Sequence, residues 1–466
     1  MKKWLIALMF LLVCNGFCVD VANWSELSAA ISGQETSINL TGSTYTMTAN
    51  LSISYPLTIT NTSGVNATLD GQGSYGTIIS DEDAGGTFTF TGTPTANIIF
   101  TNTSGTVLYV ASGESGILDV VLNYCKITYG GKGIEFAGLP ATPVYVTAAG
   151  CEISNNTDGI YFGSAPAGSG WHFLEFTYGS IHDNTTEGLE VTGDRQGVKI
   201  VASSIYNNGG PGIYNTGSSG GPIIYLEGSN VYGNSTSSTD RGDIEITATG
   251  SDLFINDCNL HSLDGTIRNK NVYFSAPGGN LSVYYSRFYG ATGSTGSDSG
   301  AVLLNNGSGT FFGNIFNGFS YSDSFAIRFN NDSDGVTILH NTVYNCYSAF
   351  YFGNCRYTCN HNIGSNFGGN PLYEEIAGGR YNKNDLNGYN CWHDYSGYLF
   401  YAATSIAQST DITADPQFVN AAIGDFNSLN PSVWAGGYGG SYIGAEPPAI
   451  TFGGNALSNP KSGGKQ

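Results

Sequence analysis

The chain has 466 residues, among them 66 Gly, 30 Tyr, 25 Phe and 5 Trp, and only 11% are charged. Sixteen Lys and Arg against 36 Asp and Glu leave a net charge of −20, too few cations to displace counterions along nucleic-acid phosphates or to hold an anionic membrane surface. Forty per cent hydrophobic residues can bury a substantial core, which excludes a disordered chain.

Lys2 and Lys3 precede an apolar run from Trp4 to Val13. Its length fits the core of a signal peptide and falls short of the ~20 residues a membrane span requires. Residues 1–18 are therefore expected to be a signal peptide, cleaved after Gly16 or Cys18, and the mature protein to be secreted or placed at the cell surface. Leu11-Leu12-Val13-Cys14 approximates a lipoprotein box, but Val13 stands where a small residue belongs. No other apolar run is long enough to span a bilayer. Trp24 to Ile31 then reads as a short amphipathic helix, with Trp24, Leu27 and Ile31 on one side.

The body is a tandem repeat. Ten segments share a small or Asn residue, any residue, an aliphatic or Phe, a polar turn, and a short alternating strand often opened by Gly-Ile. Cys151-Glu-Ile-Ser-Asn-Asn-Thr-Asp-Gly-Ile is one. The anchors are Cys125, Cys151, Gly179, Ser203, Ser229, Cys258, Ser286, Asn314, Asn341 and Asn362. The alternation has period 2, so these are strands. A third strand lies upstream of each anchor, as in Val198-Lys199-Ile200. Three short strands cannot bury their apolar sides alone; stacked on the next unit they form a solenoid with one continuous core.

These residues resemble the right-handed parallel β-helix proteins of the pectate-lyase-like superfamily. The resemblance implies an all-β, three-sheet solenoid over residues 19–446, with an N-terminal cap helix, a C-terminal capping segment at about 380–446, and a flexible tail at 447–466. Leu69-Asp70-Gly71 fits the opening coils. Asp415-Pro416-Gln417-Phe418, Gly424-Asp425-Phe426 and Ile443-Gly444-Ala445 resemble the closing segment of secreted members, with Trp392 in the coil before it.

With the aliphatic after each anchor pointing inward, the anchors point inward too, so Cys125, Cys151 and Cys258 share a slot with Ser203, Ser229 and Ser286 and read as buried small side chains. Five residues on, Asn156, Asn184, Asn208 and Asn234 form a coil-to-coil amide ladder. Cys346, Cys355, Cys359 and Cys391 crowd the last coils, where an exported chain is expected to carry one or two disulfides; their pairing is not fixed by spacing.

Function must sit on outward positions. The strand after the Asn turn presents Tyr161, Glu190 and Tyr214; the strand at the anchor presents Tyr206 and Tyr232. Rings beside carboxylates suit glycans, because rings stack on sugar C–H faces and acids accept hydroxyl hydrogen bonds. These residues, with Trp171 and His172 in a loop, are the expected substrate-binding set. The resemblance implies chemistry on the face of the first sheet, equated here with the upstream strands. Glu175 and Lys199 fall there on neighbouring coils, with Tyr225 next and Arg195 in the feeding loop. A β-eliminating lyase needs a base, a cation for the enolate and a proton donor; Lys199 or Arg195 as base and Tyr225 as donor would supply these. The same Glu175 and Lys199 read equally as a cross-coil ion pair.

Two functions follow. One is an exported β-helix protein that engages extracellular polysaccharide, as a lyase or glycoside hydrolase. The other is a non-catalytic surface or adhesive rod binding glycans through aromatic ladders. The partner in both is a polysaccharide or cell-surface glycan, with the protein a monomer. No protein metal site is assigned; Ca²⁺ enters as the ion able to bridge acidic protein and uronate.

Overall fold

A computed structural model describes residues 18–80, 86–111, 117–137, 143–163, 171–217, 220–235, 242–261, 270–290, 300–330, 333–353, 355–374, 388–397, 400–401, 410–437, 442–445, 451–452 and 455–456. The expected signal peptide, apart from Cys18, and most of the expected tail lie outside these residues. The chain divides into two compact units, Met1–Ser218 and Ser219–Gln466.

In the first unit each coil contributes one strand to each of three parallel sheets, named A, B and C in chain order. One coil runs through Val144–Ala149 in sheet A, Glu152–Ser154 in sheet B and Asp158–Phe162 in sheet C. The next repeats the path with His172–Thr177, Ser180–His182 and Leu189–Val191. Strands pair in parallel and in register, Val146 on Leu174, Ile153 on Ile181 and Ile160 on Leu189. This is the parallel β-helix expected from the resemblance. Alternate aliphatics and Phe fill its interior, and Phe136 meets Phe162 edge to face at 5.0 Å. The anticipated helix forms over Trp24–Ser32, with Asn23 accepting from Glu26 N–H as its N-cap and Leu27, Ala30 and Ile31 buried.

Two bends set the coil's shape. Sheet A passes to sheet B through a single residue in the left-handed region, just before each anchor: Tyr124, Gly150, Tyr178 and Ala202, with φ of 51°, 63°, 55° and 48°. Such a φ costs an ordinary L-residue roughly 1–2 kcal/mol, so a Tyr or Ala there is held by the strands on either side. The turn into sheet C carries a second left-handed residue, Tyr129, Asn155, Asp183 and Asn207. Asn and Asp tolerate that conformation best after Gly.

The Asn ladder sits beside this second bend. Asn184 Oδ1 accepts from the Asn156 backbone N–H at 3.1 Å and from its amide at 3.2 Å, and Asn208 Oδ1 does the same for Asn184 at 3.1 and 2.9 Å. The ladder explains the Gly of Gly-Ile. A Cβ on Gly159 would lie 2.3 Å from Gly188 O and 2.9 Å from Asn184 Nδ2.

The second unit is built on the same three-strand coil, as in Asp252–Asn256, Asn259–His261 and Lys270–Phe274. Here the anchors themselves become an amide ladder. Asn341, Asn362 and Asn390 each accept, through Oδ1, from the backbone N–H and amide of the preceding Asn, at 2.9–3.0 Å. Asp411 ends the run by accepting from Asn390. Trp392 is fully buried, edge-on to Phe350 and Phe367. Within the closing segment, Val433 and Ile443 pack with Ile363 and Cys391.

The expected disulfides do not form. Cys346 and Cys391 are buried free thiols, which burial pushes up to about 12; Cys355 and Cys359 are buried as well, Cys359 Sγ accepting from the Asn362 amide. The Cys346 and Cys391 thiols donate to the carbonyls of Tyr344 and Ala414. They serve as small interior side chains, as do Cys125, Cys151 and Cys258, each 1% exposed.

Asp243, on the sheet C strand Gly242–Ile246, takes the acceptor role that a ladder Asn plays elsewhere, its carboxyl accepting from the Asn234 N–H at 2.9 Å. Burial pushes its carboxyl up to about 7, against the lowering effect of bonds from Asn234 and Asn271.

Two predictions follow from these contacts. Asn184→Ala leaves the buried Asn156 N–H without its acceptor and should cost about 1–3 kcal/mol in denaturant unfolding, with Gly159→Ala also destabilising; wild-type stability in either would contradict the ladder's role. Because the folded carboxyl of Asp243 binds its proton more tightly than the unfolded one, the stability this confers is full below about pH 4 and disappears as pH rises through about 7. Asp243→Asn should therefore melt close to wild type at pH 4 and at least roughly 2–4 °C above it at pH 8.

Candidate functional site

The predicted site residues do not gather in one place. Within the first unit, Glu175 and Lys199 project from sheet A, Tyr206 from sheet B, and Tyr161, Glu190 and Tyr214 from sheet C. Side chains leaving different sheets of one coil diverge, so these are three separate surfaces. Tyr225 and Tyr232 belong to strands of the second unit, Ile223–Glu227 and Asn230–Tyr232.

His172 is a correction. It opens its strand on the inward side, 0% exposed, with Nδ1 accepting from the Val144 N–H at 3.2 Å, and burial lowers its pKa. The reason is period 2: Leu174 and Phe176 point inward, and His172 shares their parity. It cannot touch a surface ligand.

Sheet A of the first unit, with the residue before one of its strands, carries three exposed rings. Trp171, Phe173 and Tyr145 are each 39% exposed. Tyr145 and Phe173 are cross-coil neighbours, stacked at 5.4 Å with planes 7° apart; Trp171 stacks on Phe173 at 6.2 Å and 23°. Centroids this far apart in near-parallel rings mean slipped stacking, which leaves part of each face open. Phe173 pairs in register with Gly197, and a Cβ there would lie 2.5 Å from its ring; the Gly gives the ring room to lean. Two residues along the same strands, Lys199 Nζ donates to Glu175 Oε1 at 2.9 Å, both nearly half exposed. As placed, the Lys199 amine is engaged with a carboxylate. Arg195 lies in the turn before its strand, with φ 56°. Tyr145 and Phe173 were missed in the sequence, although Phe173 stands two residues before Glu175 and so must share its face.

On sheet B, Lys126 Nζ meets Glu152 Oε1 at 2.7 Å, and His182 lies between Glu152 at 3.5 Å and Asp183 at 2.7 Å. Burial works to raise the Glu152 carboxyl, but bonds from Lys126 and Ser154 and the nearby positive charge outweigh it, so the net shift is downward. His182 stacks on Tyr206 at 4.6 Å and 5°, which leaves less of either face for a sugar. On sheet C, Lys132 Nζ meets Glu135 Oε1 at 2.6 Å and sits 3.6 Å over the Tyr161 ring. The Thr186 hydroxyl donates to Asp158. Burial, with the charges of Glu187 and Glu135, raises the Asp158 carboxyl against the bond from Thr186 and the charge of Lys132.

Among the described residues, no group of three or more His, Cys, Asp or Glu side chains is arranged to hold a metal ion, and no helix is long and apolar enough to cross a membrane.

No family model matches the sequence, and no curated protein matches it. Solved structures do. Pectate lyase Pel9A is 14% identical, with 93% of this chain and 96% of that one covered and a TM-score of 0.34. The A-module of the mannuronan C-5 epimerase AlgE6 from Azotobacter vinelandii is 12% identical over 86% and 98%, with a TM-score of 0.35. An alginate lyase from Paenibacillus sp. str. FPU-7 is 14% identical over 85% and 99%, with a TM-score of 0.28. No residue role is carried over from them.

The exposed ion pair on sheet A supports a third prediction. Glu175→Gln or Lys199→Ala should change stability by less than about 1 kcal/mol, and the change should shrink as salt rises. A larger, salt-insensitive loss in denaturant unfolding would make the pair a structural brace instead.

Proposed function

We propose that this is an exported β-helix protein that engages extracellular polysaccharide on the sheet A face of its first unit. The observation that carries the reading is the set of three exposed, slipped rings, Tyr145, Phe173 and Trp171, beside a charged pair on the same strands. An exposed apolar patch flanked by hydrogen-bonding groups is the chemistry that holds sugar rings, the C–H faces on the aromatics and the hydroxyls on Glu175 and Lys199. Lys2, Lys3 and the apolar run after them support export. Pectate and alginate lyases and an epimerase among similar structures accord with a polysaccharide ligand.

Binding without cleavage is favoured by one contact: Glu175 and Lys199, the two groups best placed for chemistry on this face, are paired with each other. Lyase chemistry there would require substrate to part them.

The test is retention on a panel of polysaccharides, with assays for reducing ends and unsaturated uronate products. Trp171→Ala combined with Phe173→Ala should weaken retention about tenfold or more, at roughly 0.5–1.5 kcal/mol per ring contact. Equal retention by the variant would falsify the assignment of this face. Product released by wild type and lost in Lys199→Ala would establish an enzyme; retention without product would establish a binding rod.

A further inference from the structure

We infer that the polysaccharide held by the sheet A face is uncharged, its rings recognised by C–H stacking, and that uronate polymers are excluded. This rests on the polysaccharide reading above and narrows its ligand class.

The first ground is how the cations are used. Residues 18–218 contain four, Lys126, Lys132, Arg195 and Lys199, against seventeen Asp and Glu. All three lysines are ion-paired to a glutamate, one pair on the outside of each sheet: Lys126 to Glu152 at 2.7 Å, Lys132 to Glu135 at 2.6 Å and Lys199 to Glu175 at 2.9 Å. A uronate polymer brings one carboxylate per sugar. To bind it, the face must supply compensating cations or else desolvate carboxylates beside its own. The strands of sheet A around the rings, with the turn that feeds the last of them, hold Lys199 and Arg195 against Asp119, Glu175 and Asp194. The balance there is already negative, and the surrounding excess of carboxylates adds long-range repulsion.

The second ground is independent of charge. Tyr145, Phe173 and Trp171 form a contiguous apolar surface along three ring positions, and the Phe173 ring leans over Gly197 at the next register position. Coils repeat at about 4.8 Å, close to the width of a sugar ring. Such a surface gains affinity from apolar contact, which has no need of a charged ligand and little dependence on salt.

The experiment uses affinity electrophoresis and calorimetry of the full chain, at low and high salt and with and without Ca²⁺. Xylan, galactomannan and mixed-linkage glucan serve as neutral probes, pectate and alginate as uronates. Variants are the Trp171→Ala, Phe173→Ala pair and, as a charge probe that leaves the rings intact, Glu175→Gln, each checked for wild-type melting. The expected result is retention by at least one neutral polymer, changed less than about twofold by salt and lowered about tenfold in the ring variant, with no retention by either uronate. Retention by pectate or alginate that falls in the ring variant, with or without Ca²⁺, overturns the inference but leaves the polysaccharide reading standing. So does a large gain in uronate retention on Glu175→Gln that exceeds the neutral polymers' affinity. No retention by any polymer overturns both.

Discussion

The fold depends on buried side-chain amides that bond from coil to coil. A parallel solenoid has no tight hairpin to fix the register of one turn on the next, and a slip by one residue would turn every interior side chain outward. Asn156, Asn184 and Asn208 in the first unit, and Asn314, Asn341, Asn362 and Asn390 in the second, prevent this. Each amide both gives to a backbone carbonyl and receives from the neighbouring coil. The geometry then dictates further residues: Gly beside the ladder, Asn or Asp in the left-handed bend ahead of it. Gly133, Gly159 and Gly188 are held as glycine by this arrangement.

Much of this was legible in the sequence because it is periodic. The anchors, the inward aliphatics and the first ladder all recur at coil spacing, and recurrence is visible without coordinates. The pairing of Glu175 with Lys199 was also visible, since both fall at one place in consecutive coils. What was hidden lay across periods or in single bends. The second ladder shares its slot with Cys and Ser, so Asn314 and Asn341 looked like interchangeable anchors. His172 was read as loop because its strand starts earlier than its aliphatics suggest. The four late cysteines resembled a disulfide cluster because spacing along the chain does not reveal that the Cys346 and Cys391 thiols turn to backbone carbonyls.

The site was only partly legible for a related reason. Outward residues can be read off as ladders, but which sheet each ladder leaves is a property of the coil's path. Tyr161, Tyr206 and Trp171 are alike in sequence terms, yet they stand on three faces. On sheet A of the first unit the rings of Tyr145 and Phe173, with Trp171, remain exposed and slipped. On sheets B and C, His182 stacks on Tyr206 and Lys132 sits over Tyr161.

The single left-handed residue between sheets A and B has an evolutionary corollary. From Tyr124 to Ala202 and from Gly228 to Tyr389 each coil turns that corner on one left-handed residue, whereas two earlier coils take five residues from Asn61 to Ala67 and six from Thr91 to Ile98. The other two corners differ in length from coil to coil: between sheets B and C, three residues separate Ser154 from Asp158 and six separate His182 from Leu189, and between sheets C and A, four separate Val191 from Gln196 and nine separate Phe162 from His172. In the coils from Tyr124 onward, differences in chain length therefore collect along the other two edges of the coil. One of those edges borders the exposed rings of sheet A. The same scaffold can be retuned to a new sugar by lengthening the segment ahead of Trp171, with every ladder left in place.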